Sequence, residues 1–191
     1  MRSQVRSLVL CPSSIVYILY IHYNITMNIF MTDPDPYISA INLCDKHIPK
    51  MVLESAQMLS TAQRVLGNED PRLYKIAHKN HPCSIWVRSS ASNYLWLYQH
   101  FHSLANEYQK RFDNKEHLSW AKLGDVLNTS PIALRGNATG TKTRTISDPA
   151  LAMPDEYRET CPYQSYRTYL VAEKSGFAKW ERGTPAPVWW I

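Results

Sequence analysis

The chain has 191 residues, 21 lysines and arginines against 16 aspartates and glutamates, and a formal charge of +5. Hydrophobic residues make up 45% and charged residues 19%, which excludes a wholly disordered chain, a collagen-like chain and a coiled coil. The charge permits a polyanionic partner without demanding one.

Residues 1–26 differ from the rest. They hold Arg2 and Arg6, no acid, and an apolar stretch from Ile15 to Tyr23 broken only by His22. Pro12, Ser13 and Ser14 interrupt the segment, which is too short to span a membrane. It has the charge order of a signal peptide but no small-x-small cleavage site before Met27. The preferred reading is an N-terminal extension outside the fold, followed by a single helical domain over residues 27–191. A secretory signal and a peripheral anchor are the alternatives. Cys11, Cys44, Cys83 and Cys161 form no C-x-x-C pair, so reduced thiols in a cytoplasmic protein are expected.

From Met27 onward the pattern is helical. Asn28 to Thr32 reads as a short strand or lead-in. Asp33-Pro34-Asp35-Pro36 is a turn, because each proline pushes its predecessor out of the helical region. Ser39 to Leu43 predicts a short helix, and Asp45 to Leu66 a long one closed by Gly67-Asn68. Its apolar stripe is Ile48, Met51, Val52, Ala56, Leu59, Ala62 and Leu66. Asn80-His81-Pro82 opens a second helix running to about Phe112. Glu116 to Leu127 forms a third. Residues 128–150 read as a loop, Tyr163 to Trp180 as a last helix, and the proline-containing tail as irregular. The expected fold is mainly α, a compact helical bundle with long loops.

Opposite the apolar stripe, His47, Lys50, Glu54, Gln57 and Thr61 recur at steps of three and four. An imidazole, an amine and a carboxylate in one row suit acid–base or nucleophilic work. A solvated face with an i,i+4 ion pair is the favoured plain reading. The segment Ala77 to Cys83 gathers His78, Lys79, Asn80 and His81 at a helix start. That suits phosphate binding or simple capping by Asn80. Cys44, His47, His78, His81 and Cys83 are zinc-type ligands, but their spacing matches no zinc module. No metal or other cofactor is expected.

Leu43-Cys-Asp-Lys-His-Ile-Pro-Lys-Met-Val-Leu-Glu-Ser-Ala-Gln-Met-Leu59 and Asn80-His-Pro-Cys-Ser-Ile-Trp86 resemble the pyrimidine-dimer DNA glycosylase family, the phage endonuclease V type and its relatives. The resemblance covers residues 27–112, and 152–180 more loosely. It implies a compact helical fold and excision of a damaged pyrimidine, followed by cleavage of the abasic strand. The family's essential glutamate falls on Glu54 and its upstream histidine on His47. Leu53 and Gln57 stand where arginines are expected, which leaves dimer specificity open. The family's nucleophile is the α-amine of an N-terminal threonine. A start at Met31 would expose Thr32, and one at Met27 would expose Asn28, an unfavoured product of methionine removal. Lys50 is another amine, and a mechanism without one is a third option.

On this reading Glu54 stabilises positive charge on the sugar, His47 assists the leaving base or holds Glu54, and Lys50 could attack the sugar. An attacking lysine needs neighbouring cations or burial to shed its proton. The partner is double-stranded DNA with a flipped pyrimidine, with no membrane, and the chain acts as a monomer. Phosphate contacts are assigned to Lys79, Asn80, His81, Arg88, Arg135, Lys142, Arg144 and Lys179. Trp180 is the named stacking residue, with Trp86, Trp96, Trp189 and Trp190 as further aromatic surfaces. A phage-modified base, as in antiviral defence, is as acceptable as an ultraviolet lesion. A non-catalytic DNA-binding or phage–host interaction protein, and a metal-dependent nuclease or hydrolase, are the alternatives.

Overall fold

Asp35 begins the first helix by accepting hydrogen bonds from Tyr37 N and Ile38 N, with Pro36 fixing the first helical φ. This helix, α1, is Pro36–Ile41, somewhat ahead of the expected span. The computed structural model describes residues 27–135 and 145–190. The expected N-terminal extension, Lys142 and Arg144 lie outside the described residues. Five more α-helices follow: α2 His47–Val65, α3 Pro82–Val87, α4 Ala91–Arg111, α5 Leu118–Leu127 and α6 Pro162–Lys174. Two 3-10 turns lie at Ile132–Leu134 and Asp155–Tyr157. The fold is mainly α, and among the described residues there is no strand. The strand reading of Asn28–Thr32 does not hold; these residues form a buried, irregular lead-in.

Helix α2 is the axis of the bundle. It packs against α3, α4 and α5, while α1 lies on α4. Ile48, Met51, Val52, Ala56, Leu59 and Ala62 are wholly buried, which follows from their spacing on one face. Burying each of the larger aliphatic side chains contributes about 1.5–3 kcal/mol.

The expected second helix is two helices. Ser89 Oγ donates to Trp86 O at 2.7 Å and Asn93 Nδ2 to the same carbonyl at 3.0 Å. Ser90 Oγ then caps α4 by accepting from Asn93 N at 3.1 Å. These side chains satisfy backbone groups that a continuous helix would have paired. The last helix also stops early, at Lys174 rather than Trp180. Phe177 N and Ala178 N both donate to Lys174 O, and the chain turns back across the start of α2.

That return is fastened at a buried charge cluster. Arg111, with a fully buried side chain, pairs with Asp45 at 3.1 Å and Glu107 at 2.7 Å. It also donates to Leu43 O and Ile41 O. Asp45 Oδ2 accepts from Glu181 N at 2.7 Å, and Asp45 N donates to Lys179 O at 2.9 Å. Thr184 Oγ1 donates to Glu107 at 2.8 Å. The tail from Lys179 to Thr184 is therefore held to the residue just ahead of α2 and to the C-terminal part of α4. Among the described residues no helix is long and apolar enough to cross a membrane.

Candidate active site

The polar row on α2 is not a solvated face. His47, Glu54 and Thr61 are buried, Gln57 is half-buried and only Lys50 is exposed. Two segments cover the row. Thr61 Oγ1 donates to Ala77 O and accepts from Ala77 N, at 3.2 and 3.1 Å. The lead-in 27–32 lies over the other end, toward Glu54 and His47.

Asn28 organises that lead-in. Its Oδ1 accepts from Ile29 N at 2.8 Å and Phe30 N at 3.1 Å, and its Nδ2 donates to Ala152 O at 2.8 Å. Side chains of this type bond their own backbone in turns. Phe30 consequently sits at φ 53°, a conformation uncommon for a residue with a Cβ. The turn aims Asn28 N at Glu54: it donates to Oε2 at 3.1 Å. Lys50 Nζ lies 3.3 Å from the other oxygen. Burial raises the Glu54 pKa, opposed by the Asn28 hydrogen bond, Lys50 and His78. Thr32 is elsewhere: its N donates to Ser39 Oγ, its hydroxyl accepts from Asn42, and its carbonyl accepts from Arg167. Of the two residues that an alternative start would expose, Asn28 faces the carboxylate.

His47 stacks on Phe30, with centroids 5.0 Å apart, and meets the edge of Phe177 at 5.5 Å. Burial first, then the charges of Lys50, Lys174 and Lys46, push its pKa down to about 4. Near neutral pH the ring can donate one hydrogen bond but carries no extra proton. Glu54 takes its hydrogen bonds from Asn28 and Lys50, so a role for His47 in holding Glu54 finds no support.

These groups border a cavity of about 470 Å³ lined by Asn28, Phe30, Lys46, His47, Lys50, Tyr169, Lys174 and Phe177. Lys46 Nζ stands 4.5 Å over the Phe177 ring and Lys174 Nζ 5.1 Å over Tyr169. Sequence reasoning missed Asn28 as a Glu54 partner. It also missed Lys46, Lys174, Tyr169, Phe30 and Phe177. The Lys46 position, one turn before Lys50, was the available signal.

The other expected contacts scatter. His81 is buried and caps α3 by accepting from Cys83 N at 3.2 Å, a role assigned above to Asn80. Lys79 and Asn80 are exposed, and Arg88 is half-buried with one guanidinium nitrogen enclosed and unpartnered. Arg135 donates to Ser130 O and lines a separate concavity at the far end of α2. Lys179 is exposed beside Glu181. Trp180 is half-buried against Trp190, at 4.8 Å. Trp86 and Trp96 pack in the core and donate to Ser147 O and Pro34 O. Cys44 and Cys83 are buried, and burial pushes the Cys83 thiol up to about 12. Among the described residues no three histidines, cysteines or carboxylates are grouped to hold a metal.

The arrangement defines a helical protein with a buried acid beside a basic, aromatic-walled cleft. Residues 27–119 match the family model for pyrimidine dimer DNA glycosylases. The match covers just under half of the chain and includes both segments whose resemblance to that family is described above. Comparison with curated proteins and with solved structures gives no match. The matched region holds Asn28, His47, Lys50 and Glu54 but ends well before Tyr169, Lys174 and Phe177.

Proposed function

We propose that this chain is a DNA glycosylase that breaks the N-glycosidic bond of a damaged or modified pyrimidine turned out of the duplex. The observation that carries the reading is the Asn28 N to Glu54 hydrogen bond inside the family-matched region, at the edge of the cation-lined cavity. As the bond to the base lengthens, positive charge grows on the sugar. The Glu54 carboxylate offsets that charge in a site where burial strengthens the interaction. It can also take a proton from an attacking water, while the departing base is protonated in turn.

A lyase step needs an amine beside Glu54. A chain beginning at Asn28 would supply it 3.1 Å from Glu54. Its nitrogen would bond to the sugar carbon as the base leaves; one amine proton goes to the base and one to the opened ring oxygen. Lys50, 3.3 Å from the same carboxylate, is the second amine.

The test is a panel of duplexes carrying pyrimidine dimers, uracil, or hydroxymethylated and glucosylated pyrimidines, scored for abasic sites. One substrate should be excised, and Glu54→Gln should lower its rate by at least about a hundredfold, as for loss of a principal electrostatic group. Full activity in Glu54→Gln, or no abasic product from any duplex, overturns the proposal. Borohydride trapping of the full chain and of a chain starting at Asn28 separates hydrolysis from lyase chemistry, because reduction captures only an imine.

A further inference from the structure

We infer that Lys46 and Lys174 form a phosphodiester clamp on the wall of the cavity, binding the backbone of the strand whose sugar lies at Glu54. This rests on the glycosylase reading for the sugar's position, but the anion site stands on its own geometry. The two lysines are far apart in sequence, at the start of α2 and the end of α6, yet line one cavity. Each ammonium is placed over a ring face, Lys46 on Phe177 at 4.5 Å and Lys174 on Tyr169 at 5.1 Å. A ring face restrains an ammonium without neutralising it.

Among the described residues, neither lysine pairs with a carboxylate. The candidate acids are engaged: Glu54 with Lys50, Glu181 with Lys179, and Glu173 with the Tyr157 hydroxyl. His47 on the same cavity is held neutral by burial first and then by the charges of Lys50, Lys174 and Lys46. Two ammonium groups without a carboxylate partner on one cavity favour an anion over a cation. A phosphodiester suits it because two point-like ammonium groups can each meet an unbridged oxygen without bidentate geometry. Neutral His47 adds no charge, but its ring can donate to the same group.

The experiment uses the full chain and a duplex bearing a tetrahydrofuran abasic analogue, so binding needs neither the correct base nor turnover. Affinity is measured across a salt series for the parent, Lys46→Gln, Lys174→Gln and the double variant. Each single change should lower affinity roughly fivefold to tenfold at low salt and reduce the logarithmic salt slope by about one. The double variant should reduce the slope by about two. Lys46→Arg and Lys174→Arg should keep the parental slope, which a purely structural role for the ring contacts does not require. Lys115→Gln, at the exposed turn after α4 where it pairs with Asp113, should change nothing. Parental slopes in both glutamine variants overturn the clamp. So does a parent that does not bind the duplex. Reduced slopes with no excision of any base leave the clamp intact and sink the glycosylase reading alone. Excision abolished in Glu54→Gln together with unchanged slopes sinks the clamp alone.

Discussion

Replacing Arg111 with methionine should unfasten the site from the far side of the molecule. The guanidinium is wholly buried and spans two carboxylates and two carbonyls. Its removal leaves Asp45, whose side chain is 11% exposed, without a cation, and Glu107, 6% exposed, with only the half-exposed Lys110 at 3.9 Å. Breaking a buried pair from one side costs about 3–5 kcal/mol, a fifth or more of the stability of a domain of about 5–15 kcal/mol. Urea denaturation should therefore show a loss of at least about 3 kcal/mol for Arg111→Met. Removing the charges together, with Asp45→Asn and Glu107→Gln added, should recover much of that loss, because the penalty lies in the orphaned carboxylates. The tail should loosen as well: Asp45 and Glu107 hold Glu181 N and Thr184 Oγ1. Limited proteolysis near Gly183 should accelerate in the single variant. A loss under about 1 kcal/mol, or a single variant no less stable than the triple, refutes the reasoning.

Two further outcomes follow from the buried histidines. His47 and His100 are both held near pKa 4, mainly by burial, against 6.5 in the unfolded chain. The unfolded state thus binds more protons between those values, and stability present above pH 6.5 is lost as pH falls toward 4. Linkage gives about 2 kcal/mol for each ring between pH 7 and 5. Glu54, whose pKa is raised, works in the opposite sense, so the measurement belongs in Glu54→Gln. Unfolding free energy that is flat across this interval would contradict the assignment. Separately, Phe177→Ala should uncover His47 and lift its pKa toward 6.5; proton NMR titration reads this directly, and a value still near 4 would mean that Phe177 does not enclose the ring.

The parts of this fold legible in the sequence were those written in local periodicity. The apolar face of α2 lies at steps of three and four, and six of its seven expected members are wholly buried, Leu66 at the frayed end being the exception. Its polar face was misread because periodicity reports amphipathicity, not what covers the polar side. The covers are the lead-in around Asn28 and the segment around Ala77, remote in sequence or irregular in backbone. The break between α3 and α4 was written in Ser89, Ser90 and Asn93, whose side chains compete for backbone groups. The Asp45–Arg111 pair spans 66 residues, and no local rule links them. Glu54, His47 and Lys50 were found because they share a helix face. Lys174, Tyr169 and Phe177 were not, because α6 reaches the cavity only through the tertiary fold.

The site is thus composite in a way that separates two tasks. The acid and the nitrogen facing it come from α2 and the lead-in, both inside the family-matched region. One wall of the cavity comes from the C-terminal segment beyond it. The two halves meet through Asp45, which anchors Lys179 and Glu181 and stands two residues before His47. A change at Tyr169 or Phe177 would reshape the wall while leaving the Asn28–Glu54 hydrogen bond in place. A change at Asn28 would release the turn that holds Phe30 in its left-handed conformation, and with it both the hydrogen bond to Glu54 and the ring stacked on His47. Asn28 therefore couples the acid to the cavity wall, although its side chain touches neither Glu54 nor His47 through any described hydrogen bond.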